Sequence, residues 1–353
     1  MKLLYFLLLP VLLKSNFEWA VIGAGPAGIT TVGTLLDLGI PAEKIAWIDP
    51  EFKAGRLPTY AGVPSNNPTS KFFWYIKNCQ TFNNCNSKEI NDFFKLNPDG
   101  HYKLKNINQV LFCLTSHLKK RVNIFESRMH YLFPKDNWWN ILTTSQELIK
   151  TKNVVLATGS EPKKLSLHKP GTMIPLDVAL NENQLAHVVN EDDTVAVIGS
   201  AHSAILIAKY LSELNVKMVY NFYNKELILK SVINPTLDLY GVAAKWVKDV
   251  LLVNPPANIK RIQSDEQNLQ KYLPTCTKVV YAIGYQPNHL PEAIVDLLQS
   301  NDDGVIAPGL FGIGIAYPES YMHENIGIEP QVGLKAFLDY AQQKMPIWMN
   351  QKR

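Results

Sequence analysis

The sequence predicts an α/β protein of two three-layer units with parallel sheets, the second inserted in the first. Three observations carry this. A glycine-rich turn, Gly23-Ala24-Gly25-Pro26-Ala27-Gly28, lies between an apolar strand and a helix-length segment. A second strand, turn and helix recur around Gly199-Ser200-Ala201-His202-Ser203-Ala204. Two apolar strands with matched endings, Ala157-Thr158-Gly159 and Ala282-Ile283-Gly284, bracket that second unit.

In the first unit, Phe17–Ile22 reads as a buried strand and Ile29–Leu38 as a helix that stops at Gly39. Lys44–Ile48 reads as the next strand, and Asp49 ends it. This order and spacing fit a dinucleotide-binding fingerprint. Gly23 permits the tight turn, Gly25 lets a pyrophosphate approach the backbone, and Gly28 lets the helix pack close to the strand. Pro26 and Ala27 are candidate binding residues of the same turn, and the free N–H groups of the helix that follows favour an anion. Asp49 suits the ribose hydroxyls. An ordinary glycine-rich loop would leave that acid unexplained.

In the second unit, Thr194–Ile198 reads as a strand, Ile205–Leu214 as the rest of a helix, and Val216–Tyr220 as the next strand. Gly199, His202, Ser203 and Ala204 are the candidate binding residues. Ala201 stands where the second glycine belongs, and its methyl group holds a pyrophosphate slightly further away. His202 either meets a phosphate or caps the helix. The segment after Val219 carries no acid at its end, whereas Lys225 is placed to meet a 2′-phosphate; a solvated lysine is the plain alternative. NADPH is therefore favoured over NADH. Glycine at the ends of the two bracketing strands allows sharp turns where the chain crosses between units.

The chain has 353 residues, enough for two cores, and a net charge of only +4. No Lys/Arg-dense stretch with interleaved aromatics occurs, so nucleic acid is not an expected partner. Cys79, Cys85, Cys113 and Cys276 form no C-x-x-C and no zinc spacing, so no metal site is expected. Cys79 and Cys85 read as unrelated thiols in preference to a redox disulfide. Residues 3–13 are an apolar run interrupted by Pro10, too short to span a bilayer. They read as an extension that packs on the body or touches a membrane, as a signal segment, or as the product of an unused upstream start. A cytoplasmic protein is the expectation.

Beyond residue 17 the sequence resembles the FAD/NAD(P)-binding flavoproteins with two dinucleotide domains. These include pyridine nucleotide-disulfide oxidoreductases, thioredoxin-reductase-like enzymes and flavin monooxygenases. The resemblance implies two Rossmann-like domains, the NAD(P)H domain inserted in the FAD domain. It maps residues 1–16 as the apolar extension and 17–165 with 285–353 as the FAD-binding domain. Residues 166–284 become the NAD(P)H-binding domain, with Ala157, Thr158 and Gly159 at the junction. Leu310-Phe311-Gly312-Ile313-Gly314-Ile315 resembles the family's late strand, but Ile315 replaces the aspartate that holds the ribityl chain. Gly314 is a cofactor candidate. So are Gln331 and Val332, in a segment expected to open a helix aimed at the flavin. Arg56, Leu57 and Asn67 lie in a segment that similar proteins run beside the flavin ring. Phe72–Tyr75 read as core more than as a stacking platform.

The resemblance implies FAD and NADPH as cofactors, with hydride passing from NADPH to flavin N5 and then to a small acceptor or O2. No catalytic side chain is identified. Without a suitable cysteine pair, monooxygenase-like chemistry on a small-molecule substrate is favoured over disulfide reduction. The alternative is a flavin- or nucleotide-binding sensor without turnover, motivated by Ala201 and Ile315.

Overall fold

The computed structural model describes residues 12–165, 171–224, 239, 241–288, 303–323 and 327–351. The central strand of the first unit, β1 (Leu12–Ile22), is flanked by β2 (Ile45–Ile48) and β6 (Glu147–Leu156), both parallel to it. β3 (Asn123–Phe125) extends the sheet beyond β2. β4 (Met129–Lys135) and β5 (Trp138–Thr143) form an antiparallel meander that joins β6. Near the chain end, β14 (Val305–Ala307) and β15 (Leu310–Gly312) return to this sheet, β15 pairing parallel with β6.

β1 starts earlier than the apolar pattern suggests. Lys14, Ser15 and Asn16 break the hydrophobic run, yet Leu12 and Leu13 pair with Glu147 and Leu148. Backbone ladder bonds extend the strand beyond its apolar part.

The helix after the turn runs Pro26–Asp37, with Pro at its start and Gly39 in the left-handed region at its end. It is buried on nearly every side, so its polar residues need partners. The Thr30 and Thr31 hydroxyls donate to the Pro26 and Ala27 carbonyls, each at 2.8 Å. The C-terminal helix Leu334–Met349 closes this unit. Its Trp348 stacks on Phe311 of β15 at 4.7 Å and donates to the Asp303 carbonyl. Fully burying an aromatic of this kind contributes on the order of 3 kcal/mol, so the final helix is part of the core. Phe72 and Tyr75 of helix Thr69–Lys77 are buried in it as well, and Phe73 and Trp74 pack against its edge.

The second unit has its own parallel sheet. β9 (Thr194–Ile198) lies between β10 (Met218–Tyr223) and β12 (Lys278–Tyr281). β11 (Ile259–Gln263) and β8 (Thr172–Met173) form the edges. The helix His202–Glu213 follows its glycine turn. Between the units the chain crosses twice, as β7 (Ser160–Pro162) and β13 (Tyr285–Pro287). These crossings pair antiparallel to each other. A further pair, β16 (Glu319–His323) and β17 (Gly327–Gln331), precedes the last helix.

Candidate functional site

The two glycine turns share one geometry. The Gly23 N–H donates to the Ile48 carbonyl at 2.8 Å, and the Gly199 N–H donates to Phe222 at 2.8 Å. Ala157 N–H donates to Ile22 at 2.9 Å, and Ala282 to Ile198 at 2.8 Å. Gly23 and Gly199 both have positive φ, 109° and 127°. A side chain on Gly23 would collide with the Ala157 carbonyl, and one on Gly199 with the Ala282 carbonyl. The strand endings read from the sequence are therefore the surfaces against which the turns close.

Within the first turn the glycines differ in what they require. A Cβ on Gly28 would strike the Gly23 carbonyl, so this position is closed. A Cβ on Gly25 would meet only the Gly55 Cα, at 3.8 Å. Fold packing thus leaves Gly25 open, which suits a ligand that approaches the backbone. The helix start there has no side-chain cap and no acid in its first turn, so its N–H groups remain available for an anion.

Asp49 ends β2 as expected, but its carboxylate is already engaged. Oδ2 accepts from Ala24 N–H at 2.7 Å, and Oδ1 accepts from Glu51 and Phe52 N–H at 2.8 and 2.7 Å. The acid therefore braces the turn and keeps lone-pair capacity on Oδ2 for a sugar hydroxyl. Trp47 braces the same turn, its indole N–H donating to the Gly23 carbonyl at 3.0 Å. The sequence reading missed this role.

The junction residues converge on this place. Thr158 holds a buried hydroxyl that has no hydrogen-bond partner among the described residues. Its carbonyl accepts from Asn288 Nδ2 at 2.7 Å, and Gly159 follows at φ 71°. Gly314, at φ 91°, lies so close that a Cβ on it would meet the Ala27 methyl at 2.6 Å. The late strand thus reaches the start of the fingerprint helix. An open glycine, uncapped N–H groups and an orphaned threonine hydroxyl together fit a bound dinucleotide.

Other candidates stand apart from that cluster. Arg56 is exposed, and Leu57 opens a short 3-10 turn, Leu57–Tyr60. Asn67 lies in a loop where its N–H donates to the Ser65 hydroxyl at 3.1 Å. The expected helix opening at Glu329–Gly333 is corrected: Glu329, Pro330 and Gln331 belong to β17, and the helix starts at Leu334. Gln331 and Val332 precede its Gly333 cap, and Val332 is exposed. Strand pairing with β16 claims Glu329, Pro330 and Gln331 ahead of the helix.

In the second unit, Ala201 occupies the N-cap and is exposed, while His202 and Ser203 are half-buried and Ala204 is buried. The closed third position accepts the Ala204 methyl, which lies 3.6 Å from where a Gly199 side chain would stand. Asn221 Nδ2 donates to the Gly199 carbonyl at 2.7 Å. Tyr223 takes the place that Asp49 holds in the first unit. Arg261, from the neighbouring β11, lies over the Tyr223 ring at 4.4 Å and donates to Asn221 Oδ1 at 3.4 Å. Lys225 lies outside the described residues.

The units meet through Tyr60, which is buried in the core of the second unit and packs edge-on against Tyr285 at 6.5 Å. Burial, with Tyr60 alongside, pushes the Tyr285 phenol up.

All four cysteines are free thiols. Burial, with Asp37 nearby, pushes Cys79 well up, and burial raises Cys276 to about 11. Burial also raises Cys85 and Cys113. The thiolate is the form that disulfide exchange uses, and none of these environments favours it.

Two parallel-sheet units, each closing a glycine turn on the strand that leads into a crossing, define the class of oxidoreductases with two nucleotide folds. The chain belongs to the pyridine nucleotide-disulphide oxidoreductase family, whose model matches residues 17–307. It is 30% identical to Monooxygenase AgnR1 of Paecilomyces divaricatus, over 93% of this chain and 97% of that protein. Its fold is similar to that of a flavin-containing monooxygenase from Stenotrophomonas maltophilia, with TM-score 0.65 and 14% identity over 95% and 99% of the two chains. It is also similar to the cadaverine monooxygenase DfoA of Erwinia amylovora, solved bound to FAD, with TM-score 0.66 and 11% identity over 96% and 95%. The chain is thus a flavoprotein-type oxidoreductase with monooxygenase relatives.

Proposed function

We propose that this protein is an FAD-dependent oxidoreductase that draws hydride from NADPH and acts on a small molecule by monooxygenase-like chemistry. FAD, when bound, supplies a flavin that accepts hydride at N5 and passes electrons to O2 or a small acceptor. The protein's own residues bind and orient. In this reading residues 17–165 and 285–353 form the FAD domain, and 166–284 the NADPH domain.

Gly23, Gly25, Pro26, Ala27 and Gly28 would hold the FAD pyrophosphate at the helix start. Asp49 Oδ2 would accept from the ribose, and Thr158 would satisfy its orphaned hydroxyl on the cofactor. Ala157, Gly159 and Gly314 would line the same cradle. Arg56, Leu57 and Asn67 would border the flavin ring, with Gln331 and Val332 leading into the helix beyond it. Gly199, His202, Ser203 and Ala204 would receive the NADPH diphosphate. The preference for NADPH is supported by Tyr223 in place of an acid and by Arg261 stacked on it, a planar cation suited to a 2′-phosphate.

The observation that carries this reading is the repeated turn geometry at Gly23 and Gly199, in a chain whose thiols are held protonated by burial. Purified protein should be yellow, and anaerobic NADPH should bleach it. Aerobic NADPH oxidation should yield hydrogen peroxide when no substrate is present. Colourless protein that refuses added FAD, or bound flavin inert to NADPH, overturns the proposal.

A further inference from the structure

Asn108 is a buried polar side chain that neither the fold nor the cradle described above accounts for. It lies in the first turns of the helix Lys105–Lys119, is 3% exposed, and follows the core residue Ile107. Its Nδ2 donates to the Leu57 carbonyl at 3.4 Å, and its Oδ1 has no hydrogen-bond partner among the described residues. The first bond is long and the second is missing. Asparagine is also a poor helix former, and a buried acceptor without a donor destabilises the protein that carries it. Leucine would fill similar space without that penalty.

A second observation concerns the loop to which Asn108 attaches. Phe52, Ala54 and Gly55 have φ of 51°, 55° and 65°. Side chains rarely adopt this region, so Phe52 and Ala54 must be held there by their surroundings. At one end of the loop, Asp49 Oδ1 holds the Glu51 and Phe52 amides. At the other end, Asn108 reaches Leu57. Between them Gly55 stands on the phosphate turn, where a Cβ built on it would lie 2.9 Å from the Gly25 Cα. Beyond the turn Leu57–Tyr60 the backbone ties itself to the helix, with Lys105 N–H donating to Ala61 and Leu104 N–H to Val63, each at 2.9 Å. Asn108 extends that attachment to the start of the turn, next to the candidate cofactor residues Arg56 and Leu57.

We propose that Asn108 is a flavin-binding residue: its Nδ2 holds the 54–57 loop against the Gly25 turn, and its Oδ1 accepts a hydrogen bond from a hydroxyl or N–H group that arrives with the cofactor. This rests on the reading that the cradle holds FAD. The empty protein carries an unpaired acceptor that the loaded protein does not, so relieving it adds to the free energy of binding. Binding that relieves a cost of the folded empty state also stabilises the fold. The residue is thus unfavourable for the protein alone and favourable for the complex.

The test strips the full chain of flavin and titrates it with FAD, reading flavin fluorescence. The melting temperature of the flavin-free protein is measured beside it. Asn108→Leu should weaken FAD binding about tenfold, the effect of one lost hydrogen bond, while the flavin-free protein melts at the wild-type temperature or above it. Asn108→Ala cannot overpack, and it should lose FAD affinity by a similar factor, which keeps the test decisive if leucine does not fit. A purely structural residue would give a different pattern, with a lower melting temperature and FAD affinity kept or lost only in step with it. That pattern in both variants overturns the proposal, as does failure of both to fold. Wild-type protein that binds FAD no better than either variant overturns the assignment of Asn108 alone. Wild-type protein that binds no FAD overturns the function proposed above together with this assignment.

Discussion

Trp47 and Asn221 occupy the same position in the two halves of the molecule. Each stands one residue before the carbonyl that receives the glycine N–H, and each donates a side-chain hydrogen bond to that glycine's own carbonyl. An indole and a carboxamide thus perform one task on unrelated side-chain frameworks. The carbonyl they satisfy faces the turn and would otherwise be desolvated without a partner.

Replacing Trp47 with Phe removes this bond and part of a fully buried side chain. It should cost about 1–3 kcal/mol. Asn221→Leu should cost a similar amount. Thermal or denaturant unfolding measures both. Since Trp47 acts in the first unit, its variant should also release FAD more readily, whereas Asn221→Leu should affect NADPH first.

Gly25 and Gly28 should separate folding from binding. Gly28→Ala drives a methyl group into the Gly23 carbonyl and should sharply lower soluble yield. Gly25→Ala meets only ordinary contact with Gly55 and should leave melting temperature nearly unchanged. Its flavin content, read from the visible spectrum of the purified protein, should fall. Equal flavin content in Gly25→Ala and wild type would count against a pyrophosphate at this turn.

Arg261→Ala should raise the KM for NADPH by roughly tenfold or more, since a hydrogen bond between charged groups contributes about 1.5–3 kcal/mol. The KM for NADH should hardly move. Stopped-flow reduction with each nucleotide separates the two cases. Parallel loss with both nucleotides would mean that Arg261 only supports Asn221.

An acid-sensitive latch lies at the start of β9, at the far end of that strand from the second turn. Asp193 is buried and accepts from Lys278 at 2.8 Å and from Thr277. Burial opposes its charge, but Lys278 and Thr277 overcome that and hold the carboxyl below its usual range. A lowered folded value means the stabilisation is complete above the unfolded carboxyl value of about 3.9, and is lost as pH falls through the folded value. Asp193→Asn should therefore lower the melting temperature most at neutral pH. The gap from wild type should close below about pH 4. A gap that persists in acid would show that the carboxylate charge is not its source.

The nucleotide folds were legible because glycine, strand and helix patterns are local. Gly23, Gly28 and Gly199 are dictated by steric contacts that only glycine meets, so the sequence states them directly. Tertiary contacts were less legible. Nothing in the local pattern distinguishes a buried Trp47 in the core from one that braces a carbonyl. The engagement of Asp49 by three backbone amides depends on a loop conformation, with Phe52 and Ala54 at positive φ, that neither residue type announces. Gln331 and Val332 were read as a helix opening because the resemblance implies one there. The pairing of β17 with β16 takes Gln331 and leaves Val332 between the strand and the Gly333 cap, and strand pairing depends on a partner that the local pattern does not announce. Arg261 was missed because it reaches Tyr223 from an adjacent strand, well separated along the chain.

The antiparallel ribbon formed by β7 and β13 has a mechanical consequence. Both passages between the lobes are laced together, with Lys163 N–H also bonded to the Gly284 carbonyl at 3.0 Å. Ladder bonds resist sliding of one passage past the other, while a narrow two-stranded band twists readily. Any reorientation of the second unit would therefore be a swivel about this band, because a slide along it breaks the ladder bonds.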